Sequence, residues 1–243
     1  MNYTQKISNI WQAYYQAKNG QTTTIRSGYG LYGIYPFDMS KPFDYSRSES
    51  DAEHVIGTEF LARPLAEYFP EIIPYCEQSD YLDMLRLHEM GENVLGDIPD
   101  NGNRDETAKD EAEFAYLSMY LKFYPEAYRS KMLIIFKEMQ TKATERGRTL
   151  YCIDKTEAIL QNLIYERQGR GGDLNKRLTF ITEPTTRDKW EYEMTGSSKP
   201  ADMWSFAFFK KCEDYEHIKV FRDIIVLAAR EIRGELFNWL DKL

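Results

Sequence analysis

Apolar positions along the chain recur mostly three and four residues apart, the spacing of helices that bury one face. Residues 4 to 18 carry Ile7, Ile10, Trp11, Tyr14 and Tyr15 on such a stripe, closed by Asn19-Gly20 as a C-cap signal. Glycines at 28, 30 and 33, then Pro36 and Pro42, predict a shaped loop between this helix and the next. Ser50 or Asp51 can cap a helix from Ala52 to about Phe69, with Val55, Phe60, Leu61, Leu65 and Tyr68 on its apolar side. Pro64 removes one amide donor there and predicts a kink. Further helices are predicted at Asp80 to Asn93, Thr107 to Tyr124, Pro125 (as an N1 proline) to about Ala143, and Arg148 to Gln168. Residues 173 to 205 are less periodic, with Thr179 to Thr182 extended and Gly196-Ser197-Ser198 a loop. A long amphipathic helix is expected from about Asp214 to Leu243, through Ile218, Phe221, Ile225, Ala229, Ile232, Leu236 and Leu240. The expected fold class is all-α.

Composition narrows the chemistry. At 243 residues the chain is long enough for one large domain, or a domain with an appended subdomain. A formal net charge of -8 disfavours nonspecific binding to a nucleic acid backbone or an anionic membrane. There is no run of 18 apolar residues and no signal-peptide core at the start. The three cysteines, Cys76, Cys152 and Cys212, are scattered and not spaced as a zinc motif, so a reduced, cytoplasmic setting is expected.

The organising stretch is Leu87 to Pro99, where the acids and the histidine crowd together before a Gly96-Asp97-Ile98-Pro99 turn. On a helix His88 and Glu92 share a face, and Glu89 follows His88 by about 100°. Adjacent imidazole and carboxylate side chains can both reach one divalent ion, and a third carboxylate a turn later stands where a water-activating base would sit. Of the three histidines, His54 and His88 lie beside acids in similar settings.

The order of His54, then His88-Glu89, then Asp154 on separate segments resembles the HD-domain phosphohydrolases. Glu49-Ser50-Asp51-Ala52-Glu53-His54 looks like that family's entry to its first ligand helix. His88-Glu89-Met90-Gly91-Glu92 followed by Gly96-Asp97-Ile98-Pro99 looks like its second segment, and Asp154-Lys155-Thr156-Glu157 with Gln161 like its third. The Gly-Asp-Ile-Pro turn and the upstream Arg26-Ser27-Gly28-Tyr29 are similar to the 5′-deoxynucleotidase branch. The resemblance covers roughly residues 7 to 168. It implies an HD-domain helical bundle over residues 1–170, with residues 171–243 an α-helical extension packed on it.

What the resemblance implies about the site follows residue by residue. His54, His88, Glu89 and Asp154 would hold one divalent ion, with Mn, Co, Fe or Mg all suited to a nitrogen and oxygen set. Glu92 would position or deprotonate the attacking water, and Asp97 would protonate the leaving oxygen or hold that water. Arg26 would bind phosphate with its planar guanidinium. Lys109 and Arg47 could add positive charge, although a surface role is the plainer reading for each. Each residue also has a plainer structural alternative: Asp154 in an ion pair with Lys155 or Arg148, Glu92 as a solvated helix charge, Asp97 shaping the turn before Pro99, Arg26 at the surface.

One departure stands out. The family's second segment has His-Asp where this chain has His88-Glu89, which moves the carboxylate outward by about 1.5 Å. The implied activity is removal of phosphate by metal-activated water from a small nucleotide, a deoxynucleoside 5′-monophosphate in the first place. Cyclic nucleotides, nucleoside triphosphates or alarmones are alternative substrates, and a non-catalytic nucleotide- or partner-binding HD domain is the alternative of another class. The implied partner is the nucleotide, with no nucleic acid polymer and no membrane; oligomers are common in the family, and a homodimer is the form expected.

Overall fold

The computed structural model describes residues 2–18, 49, 51–91, 106–169, 172, 186–235 and 237–240. The fold is all-α, with no strand among the described residues. Helix α1 (Tyr3–Lys18) buries Ile7, Ile10 and Trp11 against α2 (Asp51–Tyr68) and the helix nearest the C-terminus. Asp51 and Glu53 occupy the first turn of α2, where carboxylates complement the helix dipole. Thr58, Leu61, Ala62, Leu65 and Ala66 form its buried face, and Pro64 lies within the helix without ending it.

Helix α3 (Gln78–Leu87) inserts Tyr81, Leu82, Met84, Leu85 and Leu87 into the core. The single helix expected to Asn93 instead tightens at His88–Gly91 into a 3₁₀ turn. Helix α4 (Glu106–Tyr120) packs over that turn and runs into a second 3₁₀ turn, Leu121–Phe123. In α5 (Glu126–Thr141) Pro125 is the N-cap, with ψ 144°, and not the first helical residue. Lys142 ends α5 at φ 55°, its amide donating to the Glu138 carbonyl at 2.7 Å.

The central element is α6 (Glu145–Arg167), which starts three residues before the expected Arg148 because Thr144 caps it, accepting from the Gly147 amide at 3.1 Å. It packs against α2, α3 and α5 and carries buried residues on almost every side. Gly147 is required by packing: a Cβ there would lie 2.2 Å from the Glu138 carbonyl oxygen of α5.

Beyond α6 the sequence reading is corrected in two places. Residues 186–211, which begin within the weakly periodic stretch and run six residues past it, contain α7 (Thr186–Thr195) and α8 (Pro200–Lys211), the latter opened by Pro200. Helix α9 (Ile218–Arg233) is half the expected length, because Gly234 turns the chain at φ 76°. Its buried face is Val220, Phe221, Ile224, Ile225, Ala228 and Ala229, packed on α6 and α1. After it Phe237 and Trp239 return to the core, their rings stacked at 4.7 Å. One cluster of buried hydrophobic residues runs from Ile7 to Trp239. The expected C-cap at Asn19-Gly20, the loop from 28 to 42 and the extended Thr179 to Thr182 lie outside the described residues. No helix among the described residues is long and apolar enough to cross a membrane.

Candidate metal centre

Three elements bring four side chains to one buried point. His54 comes from the first turn of α2, His88 and Glu89 from the 3₁₀ turn after α3, and Asp154 from the middle of α6. All four are buried, and one ligand atom from each lies within 4.8 Å of the others. His54 Nε2 is 3.0 Å from Asp154 Oδ1, and His88 Nε2 is 4.0 Å from the same oxygen. Glu89 Oε1 stands 3.3 Å from both imidazole Nε2 atoms. The two Nε2 atoms are 3.4 Å apart.

Partners on the far sides of the rings decide where the protons sit. His88 Nδ1 is 2.8 Å from the Leu85 carbonyl oxygen, which can only accept, so Nδ1 carries the hydrogen. His54 Nδ1 is 2.5 Å from Glu157 Oε2, with Glu49 Oε1 at 3.9 Å, and donates to a carboxylate in the same way. Both Nε2 lone pairs therefore face inward, together with two carboxylate oxygens. A proton on Nε2 can join one imidazole to one carboxylate, as the 3.0 Å contact of His54 Nε2 with Asp154 Oδ1 would allow, whereas a single divalent cation engages all four atoms at once. A centre with ligand bonds of about 2.1 Å has ligand atoms about 3.4 Å apart in tetrahedral geometry, within the 3.0–4.0 Å found here. The set of two imidazoles and two carboxylates fits a divalent metal ion.

The charge on Asp154 is secured from a second direction. Burial alone would raise its pKa, but the Lys155 ammonium, 2.8 Å from Oδ2, and the two histidines when they are protonated hold it well below the usual carboxylate range. The ion pair with Lys155, which the sequence offered as an alternative to metal ligation, is compatible with it: one carboxylate oxygen faces the lysine and the other the histidines.

Glu89 fits despite its extra methylene. The 3₁₀ turn that places His88 under the Leu85 carbonyl leaves the longer side chain able to reach both imidazoles. Lys109 lies on α4, which packs over the same turn, and pairs with Glu113 at 3.0 Å. Burial raises the Glu113 pKa, Lys109 opposes that, and Glu89 and Asp110 add to it. Arg26, Arg47, Glu92 and Asp97 lie outside the described residues.

Glu157 and Glu49 lie within the sequence motifs, but nothing in the sequence gives them a role. Glu157 is three residues after Asp154 and shares its helix face, and it is fully buried among Ile153, Thr156 and Leu160. A glutamate one turn from Asp154 on the same helix face is the signal that marks it. It completes a carboxylate–histidine pair of the kind that orients a metal-ligating imidazole.

A family model described as an HD domain matches residues 40–191, more than half of the chain and inclusive of all four converging side chains. No curated protein and no solved structure matches the chain significantly. Members of that family are mostly metal-dependent hydrolases. With histidine, histidine-acid and aspartate segments meeting in chain order at one buried cation site, this chain belongs to the HD-domain family.

Proposed function

We propose that the protein is a phosphomonoesterase of the 5′-deoxynucleotidase-like branch, removing phosphate from a deoxynucleoside 5′-monophosphate. The observation that carries this reading is the pair of inward Nε2 lone pairs, each set by an acceptor behind its ring, meeting Glu89 and Asp154. The substrate class rests on Arg26-Ser27-Gly28-Tyr29 and Gly96-Asp97-Ile98-Pro99, which resemble that branch.

An ion held by the four side chains would polarise a phosphate oxygen and make water more acidic. The chain's own groups do the rest. Arg26 grips the phosphate with two parallel N–H donors. Glu92 orients the attacking water and takes its proton, and Asp97 gives a proton to the departing 5′ oxygen. Glu157 and the Leu85 carbonyl keep the imidazoles from turning. The non-catalytic alternative drew its support from Glu89, and Glu89 Oε1 at 3.3 Å from both imidazoles weakens it.

The test is metal content of protein purified without chelator, followed by phosphate release from deoxynucleoside monophosphates with Mn²⁺, Co²⁺ or Mg²⁺. About one equivalent of metal, with release abolished in Glu92→Ala, is expected. No release with any of these ions would overturn the reading.

A further inference from the structure

Three lysines from three different elements surround the ring of Tyr151, on the face of α6 next to the metal centre. Lys142 Nζ, at the end of α5, is 4.8 Å from the ring centroid. Lys211 Nζ, from the last turn of α8, is 5.1 Å from it, and Lys155 Nζ of α6 is 5.6 Å. On a chain of net charge -8 three lysines around one ring stand out, even with Asp154 paired to one of them. It also touches the metal centre directly, since Lys155 holds Asp154 Oδ2 at 2.8 Å while Oδ1 of the same carboxylate faces His54.

The ammonium groups oppose one another. Lys142 sits below its ordinary pKa, from burial first and from the charge of Lys155 next, with Asp110 and Asp154 offsetting part of this. Lys142 spends one proton on the Gln140 carbonyl at 2.9 Å, and an ammonium has three. Tyr151 gives the cations an aromatic wall, which attracts each without neutralising any. Lys155 is 44% exposed and Lys211 is exposed, so the group is reachable from solvent. A multiply charged oxyanion is the ligand whose charge and acceptor number match three ammonium groups.

We propose that Lys142, Lys155 and Lys211 form a phosphate-binding site beside the metal centre. The inference rests on the reading of that centre as a phosphohydrolase site and extends it to how the ligand's phosphate groups are held. The phosphate can be the one at the metal centre, or a second one carried by the same ligand.

Calorimetric titration of the whole 243-residue chain in a chelator measures this without turnover, so a failed hydrolysis assay leaves the readout intact. The titrants are pyrophosphate and a deoxynucleoside 5′-monophosphate, and the variants Lys142→Gln and Lys211→Gln keep part of the packing over Tyr151. Binding of pyrophosphate to the wild type is expected, with Kd raised about tenfold in each variant. Equal losses for both titrants support a site for the phosphate nearest the metal, and a loss confined to pyrophosphate supports a site for a second phosphate. Absence of pyrophosphate binding, or a Kd unchanged in both variants, would overturn the proposal. Lys211→Gln, an exposed helix-end change, carries the test if Lys142→Gln disturbs the turn at φ 55°.

Discussion

Glu157 Oε2 lies 2.5 Å from His54 Nδ1, while Asp154 Oδ1, from the same helix, stands 3.0 Å from Nε2 of the same ring. One imidazole is thus held between two carboxylates three residues apart on α6. The inner carboxylate belongs to the candidate metal centre, and the outer one favours the tautomer that would make Nε2 a ligand. Glu157→Gln keeps the size of the side chain but removes the charge. Metal affinity is expected to fall by about 10- to 100-fold, as for other groups that orient a ligating histidine. Competition with a fluorescent chelator reads this directly. Affinity equal to wild type would show that Glu157 plays no orienting part.

The contact between α5 and α6 sets where Asp154 stands, and it depends on the hydrogen atom of Gly147. An added Cβ would meet the Glu138 carbonyl oxygen at 2.2 Å and its carbon at 2.5 Å, both of them backbone atoms that cannot swing aside. Gly147→Ala is expected to cost about 2 kcal/mol or more of folding stability despite the better helix propensity of alanine. Urea denaturation followed by circular dichroism measures it. A gain in stability would mean that the helices separate without penalty.

Acid should act on the metal-free protein through Asp154. Its folded pKa is depressed: burial works against the charge, but Lys155, then His54 and His88, outweigh it. A depressed carboxyl contributes stability above its ordinary value of 3.8, and that stability is lost as pH falls through the lower, folded value. In a chelator, the melting temperature of the wild type should therefore drop more steeply than that of Asp154→Asn between about pH 4 and pH 2. The variant should start lower near neutrality and converge with the wild type at the acid end. Parallel curves would remove Asp154 from the account.

Arg233 ties the last helix to the rest. Its guanidinium takes Glu166 with two nitrogens, at 2.7 and 2.6 Å, and Asp202 with the third at 2.6 Å, all three side chains nearly buried. Arg233→Met leaves two carboxylates without their cation and is expected to cost about 3 kcal/mol. Adding Glu166→Gln and Asp202→Asn should restore part of this, because it relieves the unpaired charge. Denaturant melts of the single and triple variants test the pair of expectations. A triple variant weaker than the single one would contradict them.

The fold class and the grouping of His54, His88, Glu89 and Asp154 were legible in the chain for different reasons. The helices of the first two thirds follow an apolar spacing that burial imposes on any packed helix, so their positions were read to within a few residues. Where that reading failed, local backbone chemistry or tertiary contacts prevailed. The 3₁₀ turn at His88–Gly91 and the end of α9 at Gly234 are geometric choices that periodicity does not encode. Helices α7 and α8 were missed because Trp190, Glu191, Asp202 and Ser205 mix polar and apolar positions, and Glu191, Asp202 and Ser205 are buried all the same.

By itself the sequence determined which residue types were available: two histidines and two carboxylates, in an order and with neighbours that resemble one family. It could not say that Glu157 backs His54, that Glu89 reaches both imidazoles, or that Lys142 and Lys211 meet Lys155 around Tyr151. Glu157 and His54 are 103 positions apart, Glu89 and His54 are 35, and Lys142 and Lys155 are 13, and the packing of helices on α6 brings them within hydrogen-bonding or Coulombic range. Charge interactions fall with distance in space and ignore distance along the chain, so the tertiary structure alone decided which charges would act together.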